Sequence, residues 1–94
     1  MRYKIARTKR FKTAYKRVSQ YKNFDPAIFI RVVSALASGE TLDRKYKDHK
    51  LSGKMKNFRE CHLAPDILLL YEIDGGNLIL TLVSIGNHSQ IFKS

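Results

Sequence analysis

Three observations predict a small α+β fold of order β-α-α-β-β-β, an antiparallel sheet with two helices packed on one face. Apolar spacing changes from alternate residues to a helical repeat near residue 8, and returns to strand-like runs in the C-terminal half. Residues 67–71 and 78–83 are apolar at nearly every position, as central strands are. A chain of 94 residues builds one modest core, so both helices must bury their apolar stripes on the same sheet.

The elements follow in order. Residues 2–7 (RYKIAR) alternate, with Tyr3 and Ile5 on one side and basic residues mostly on the other, which reads as a short strand. Thr8 suits a helix N-cap, and Phe11, Ala14, Tyr15 and Val18 then recur on one helical face. Lys9, Arg10, Lys12, Lys16 and Arg17 fill the rest of that helix. Asp25 followed by Pro26 opens a second helix, with Phe29, Val32, Val33 and Leu36 as its buried stripe and Gly39 as its end. Only a few residues separate the two helices, so an antiparallel pair is expected. Residues 40–53 show neither period and read as a long loop. Three strands should follow, near 55–62, 67–73 and 77–85. Pro65-Asp66 turns between the first two, and Asp74-Gly75-Gly76-Asn77 between the next. Gly86 ends the last strand, and a short tail closes with Phe92. The chain, 1–94, is expected to be a single domain.

Charge narrows the function. Eighteen Lys and Arg against eight Asp and Glu give a net +10, and the first carboxylate is Asp25. Such a field attracts polyanions, either nucleic acid or an acidic protein. A membrane surface fits less well, because the basic segments also supply core residues. Cys61 is the single cysteine, which excludes an intrachain disulfide and fits a reducing cytosol. No stretch approaches the roughly 18 apolar residues of a membrane span, and MRYKIARTKR has no secretory apolar region. The expected setting is the cytoplasm.

The chemistry sits in the histidines. His49, His62 and His88 each lie beside a turn or strand end, and none falls in the basic N-terminal region. Histidine is the side chain best suited to proton transfer near neutral pH. Asp66 lies across a tight turn from His62, where a carboxylate can orient an imidazole. His88 follows the last strand, whose end lies on or near the same sheet edge; His49 joins only if the long loop folds back. Singly, each histidine also reads as an ordinary turn residue. A three-ligand zinc centre is the metal alternative. The spacing lacks a helical i, i+4 histidine pair, and Cys61 alternates away from His62, so no metal or cofactor is expected. Arg59 offers charge stabilisation, although alternation puts it on the opposite sheet face from His62 unless a bulge intervenes. Phe92 reads either as an anchor of the tail or as a stacking platform for a base. Lys45, Lys47, Lys50, Lys54 and Lys56 suit either a phosphate track or a plain solvated face.

Four segments, KDH (47–49), LSGK (51–54), RECHLAPDILLLY (59–71) and IGNHSQIF (85–92), together resemble the YafQ branch of the RelE-like toxins of bacterial toxin–antitoxin pairs. The N-terminal half agrees in its predicted layout. The resemblance implies a microbial-ribonuclease-like fold and metal-independent cleavage of mRNA within the ribosome. It also implies a DinJ-like or other acidic antitoxin, bound in a hetero-oligomeric complex. Its catalytic positions fall on His49, His62, Asp66, His88 and Phe92, beside Arg59, Lys47, Lys50, Lys54 and Lys56 as substrate-binding candidates. Two positions depart from the pattern: Ile67 stands where the best-studied members carry tryptophan, and Ser84 where many carry arginine. Losing one such charge-stabilising donor costs about 10²–10³ in rate; Arg59 or a loop lysine could substitute, and without one slower cutting or a different preference is expected. The competing reading is a non-catalytic basic module, a degenerate toxin that holds RNA or antitoxin by charge alone. A purely structural interaction domain explains neither the charge nor the histidine placement.

Overall fold

The structure, a computed structural model, describes residues 2–92; Met1, Lys93 and Ser94, at the ends of the expected 1–94 domain, lie outside it. Thr8 joins β1 (Lys4–Arg7) to α1 (Lys9–Val18). Its hydroxyl accepts from the Phe11 amide at 2.9 Å and donates to the Val83 carbonyl at 2.7 Å, so one side chain caps the helix and ties it to the sheet. Asp25 caps α2 (Pro26–Ala37) through the Ala27 amide at 2.9 Å. The helix ends where Gly39 takes φ +78°, a left-handed conformation that glycine adopts without a Cβ penalty. The Gly39 and Glu40 amides return to the Leu36 and Ala35 carbonyls, which satisfies the last turn.

The sheet adds β2 (His49–Lys50), β3 (Arg59–Ala64), β4 (Ile67–Asp74) and β5 (Ile79–Gly86), in the order β1-β5-β4-β3-β2. Strands β2 to β5 pair antiparallel, but β1 lies parallel to β5, so the sheet is mixed. Alternation tells which face a strand buries and says nothing of its direction. That direction follows from β1 and α1 both lying along β5, with the Tyr3 amide bonded to the Ala37 carbonyl at the end of α2. Two further elements appear where loop and tail were expected. Strand β2 forms inside 40–53, and α3 (His88–Phe92) forms from the tail. Strand β3 begins at Arg59 because Gly53–Met55 first makes a 3-10 turn.

Helices α1 and α2 cover one face. There Phe11, Val18, Val32 and Leu36 bury against Cys61, Leu69, Tyr71, Leu80, Leu82 and Ile85. The Phe29 ring bridges the helices, 5.1 Å from Tyr15 and 6.1 Å from Phe11, worth about 0.5–1.5 kcal/mol per pair beyond area burial. On the opposite face Leu68, Leu70 and Ile91 form a smaller cluster, covered by Leu51, Met55, Phe58 and Phe92. That face is therefore open only near the ends of its strands. No helix among the described residues is long and apolar enough to cross a membrane.

Burial pushes up both the Cys61 thiol and the Tyr71 phenol, the latter helped by its hydrogen bond to Asp48. The unfolded chain ionises these groups near their ordinary values, about 8.5 and 10, while the folded chain keeps them protonated. Their contribution to stability is therefore complete below about pH 8.5 and is lost as pH rises towards the folded values. The expected loss approaches about 1.4 kcal/mol per pH unit for each ionising group. Urea unfolding measured from pH 8 to 11 should show this decline, and Tyr71→Phe should flatten its upper part. An unchanged slope in that variant would remove Tyr71 from the account.

Candidate active site

Strand register builds the first part of the site. His49 in β2 lies opposite Glu60 in β3, and His62 follows two residues later on the same face. Both imidazoles turn Nε2 toward one oxygen: Glu60 Oε1 lies 3.7 Å from His49 and 4.0 Å from His62. The Lys47 carbonyl, 2.7 Å from His49 Nδ1, can only accept, so Nδ1 donates and Nε2 is left facing the carboxylate. Glu60 is only 4% exposed, and its Oε2 has no hydrogen-bond partner among the described residues. Sequence reasoning missed Glu60. The signal was present, since a carboxylate two residues before His62 must share its face.

The second part comes from the strand ends. His62, Leu68 and Gly86 are successive rungs across β3, β4 and β5, which brings the residues after Gly86 level with the 62–66 turn. His62, Asp66 and His88 consequently line one cleft of about 340 Å³, with Glu60 and Asn87. A reciprocal cap fixes the start of α3: Asn87 Oδ1 accepts from the Gln90 amide and Gln90 Oε1 from the Asn87 amide, both at 2.8 Å. Glycine is required just before it. Gly86 has φ +151°, and a Cβ there would stand 2.6 Å from Gln90 Oε1. The α1 side steadies the helix, as Gln90 Nε2 donates to the Tyr21 hydroxyl at 3.2 Å and the Arg10 guanidinium to the Ile91 carbonyl. Phe92 is half-buried, with its ring 4.6 Å from that of His88. It anchors the tail and also stands beside the exposed imidazole.

Asp66 shares the cleft with His62 but makes no hydrogen bond to it among the described residues. Its Oδ1 accepts instead from Asn23 Nδ2 at 2.6 Å, and the carboxylate that His62 faces is Glu60. A register shift between His62 and Ala64 breaks the simple hairpin geometry on which that pairing was expected. Asn23, in the segment after α1, carried no signal in the sequence.

Arg59 lies where alternation put it, away from the cleft. Its guanidinium donates to Asp48 at 3.0 and 3.4 Å, and the Tyr71 hydroxyl donates to the same carboxylate. The hydrogen bond to Asp48 raises the Arg59 pKa further. Held there, Arg59 is not among the residues that line the cleft, contrary to its expected place as a substrate-binding group. Ser84 is buried, and the neighbouring cleft of about 460 Å³ is lined by Lys9, Arg10, Arg17 and Gln90. The cations nearest Ser84 thus come from α1. Ile67 is buried in the helix-side core. Lys45, Lys47, Lys50, Lys54 and Lys56 are all exposed. Among the described residues Arg59 is the one Lys or Arg within salt-bridge distance of a carboxylate, so the basic surface is otherwise uncompensated. Among the same residues, no three His, Cys, Asp or Glu side chains converge closely enough to hold a metal ion.

Fold and site together define a small basic α+β protein whose imidazoles and carboxylates meet at one end of the sheet. The family described as bacterial toxin of type II toxin-antitoxin system, YafQ, matches residues 3–93, and the chain belongs to it. The mRNA interferase toxin YafQ of Escherichia coli (strain K12) is 36% identical over 47 residues, 50% of this chain and 49% of that protein. The chain's match thus spans about half the length of this curated relative. Two solved structures match nearly throughout. A metal-bound toxin from Helicobacter pylori is 42% identical, with a TM-score of 0.87 over 96% of this chain and 99% of that one. A DinJ-YafQ complex from Escherichia coli gives 25% identity and a TM-score of 0.82 over 96% and 98%.

Proposed function

We propose that this protein is the toxin of a type II toxin–antitoxin pair, a cytoplasmic endoribonuclease (mRNA interferase) that cuts mRNA on the ribosome. Its restraining partner is an acidic antitoxin, held in a hetero-oligomeric complex on the uncompensated basic surface. One observation carries the reading: His62 and Asp66 of the β3–β4 hairpin and His88 after β5 line a single cleft.

The reaction is internal phosphoryl transfer. The 2′-hydroxyl attacks the adjacent phosphorus as one side chain takes its proton. The bond from phosphorus to the 5′-oxygen breaks, and a second group protonates that oxygen. The products are a 2′,3′-cyclic phosphate and a 5′-hydroxyl. Because the nucleophile belongs to the substrate, no activated water is required. His88 and Asp66 are the proton-handling pair, since both are exposed at the cleft mouth. His49 and His62 assist or bind phosphate, with Glu60 orienting both. Phe92 stacks a base beside His88, Lys47, Lys50, Lys54 and Lys56 track the backbone, and the α1 cations Lys9, Arg10 and Arg17 offset the charge developing on phosphorus. Positioned acid–base groups contribute about 10²–10⁴-fold, and orientation with charge stabilisation supplies the rest.

Expression of the native chain should arrest growth, and the double replacement His88→Ala with Asp66→Ala should relieve the arrest. Both positions are exposed, so folding should survive, which a melting curve would verify. A double variant that arrests growth as fully as the native chain would leave only the charge-driven binding module.

A further inference from the structure

A second cleft, of about 420 Å³, lies directly beyond His62. It shares His62 and Pro65 with the histidine cleft, so the 62–65 segment is a ridge between the two. Its floor is apolar, from Ile28 and Leu63, and its rim carries Arg31 of α2 with Lys45 and Lys47 of the following loop. Among the described residues none of these three cations lies within salt-bridge distance of a carboxylate. The neighbouring Asp43 directs its carboxylate to the Lys45 amide, at 3.0 Å.

The backbone adds a second observation. Lys47 adopts φ +50° and ψ +41°, a left-handed conformation that glycine or asparagine takes more readily. A long cation held in such a conformation is the kind of local strain that marks a functional site. The volume falls within the range of small-ligand clefts, roughly 300–1,000 Å³, which accommodates a single nucleotide.

We infer that this cleft is a second nucleotide subsite. It receives the nucleotide one step beyond the pair joined by the scissile phosphodiester, with the base or ribose on the apolar floor and the phosphate among Arg31, Lys45 and Lys47. The RNA strand then crosses the ridge at His62. The inference rests on the nuclease reading of the histidine cleft and adds to it a register along the substrate.

The test uses the full chain and two fluorescein-labelled 2′-O-methyl RNAs, which bind without being cut: a dinucleotide and a pentanucleotide. Fluorescence anisotropy over a range of salt should show the pentanucleotide bound at least about tenfold tighter, since only it fills both clefts. Combining Arg31→Ala with Lys45→Ala should remove most of that preference and leave dinucleotide affinity within about twofold. The salt slope for the pentanucleotide should fall by about 0.7 for each phosphate that no longer meets a cation. An unchanged melting curve shows the fold intact.

Equal affinity for the two RNAs, no binding of either, or a length preference that survives in full in the double variant would overturn the subsite. So would a double variant that weakens binding of a polyglutamate peptide but not of the pentanucleotide, which would assign the cleft to an acidic protein. Failure of the nuclease reading shows elsewhere, as dinucleotide binding and cleavage that ignore His88→Ala.

Discussion

Replacing Glu60 with glutamine (Glu60→Gln) is expected to lower RNA cleavage by about 10²-fold, near the lower end of what a positioned acid–base group contributes. The same change is expected to raise stability by about 1 kcal/mol, or about 4–8 °C in Tm. The opposite signs follow from where the carboxylate sits. It is almost fully buried, its Oε1 faces two imidazoles at 3.7 and 4.0 Å, and its Oε2 has no partner among the described residues. An unsatisfied buried polar atom costs about 1–3 kcal/mol and more when it carries charge; glutamine leaves the unpaired atom but removes its charge, which relieves part of that cost. Packing alone would have favoured an uncharged residue at this position. What glutamine removes is the charge that orients His49 and His62 together. Thermal melting beside cleavage of an RNA substrate distinguishes the roles. Loss of stability and activity in step would make Glu60 a structural residue, and increased stability with full activity would remove it from the site.

The contrast between what the chain made legible and what it hid follows the range of each interaction. Thr8, Asp25-Pro26 and Gly39 mark helix ends through bonds to residues at most a few positions away, so their meaning is local and readable. The convergence of His62, Asp66 and His88 was also within reach, because counting strands in a meander shows which ends coincide. Arg59 was readable too, since alternation put it on the face opposite His62. Strand β2 was not, as two residues cannot display a period of two, and α3 is too short for a helical stripe. The direction of β1 was hidden because alternation is the same in either sense. Glu60 lay between these cases. Its face was legible, but its contact with His49 depends on β2, which was not. Asn23 reaching Asp66 spans 43 positions with no pattern linking the two.

The other large effect is expected away from the cleft. Asp48→Ala should cost about 3 kcal/mol, lowering Tm by about 12–24 °C. Asp48 accepts from the Arg59 guanidinium at 3.0 and 3.4 Å and from the Tyr71 hydroxyl, tying the residue just before β2 to β3 and β4. Tyr71 is fully buried, so removing its acceptor strands a hydroxyl in the core, at about 1–3 kcal/mol. The Arg59 bond adds less than a buried ion pair would, because that side chain is 37% exposed and solvent screens it. Asp48→Asn should recover part of the loss, since the amide oxygen can still accept from Tyr71 while the charge is gone. Tyr71→Phe should cost about 1 kcal/mol, as it removes one bond and leaves the ion pair. Because Asp48 immediately precedes His49, the Asp48→Ala chain should also cleave RNA more slowly at temperatures where it remains folded. A melting curve for Asp48→Ala within about 2 °C of the native one would show that β2 is held by strand pairing alone, and that His49 needs no anchor from the helix side of the sheet.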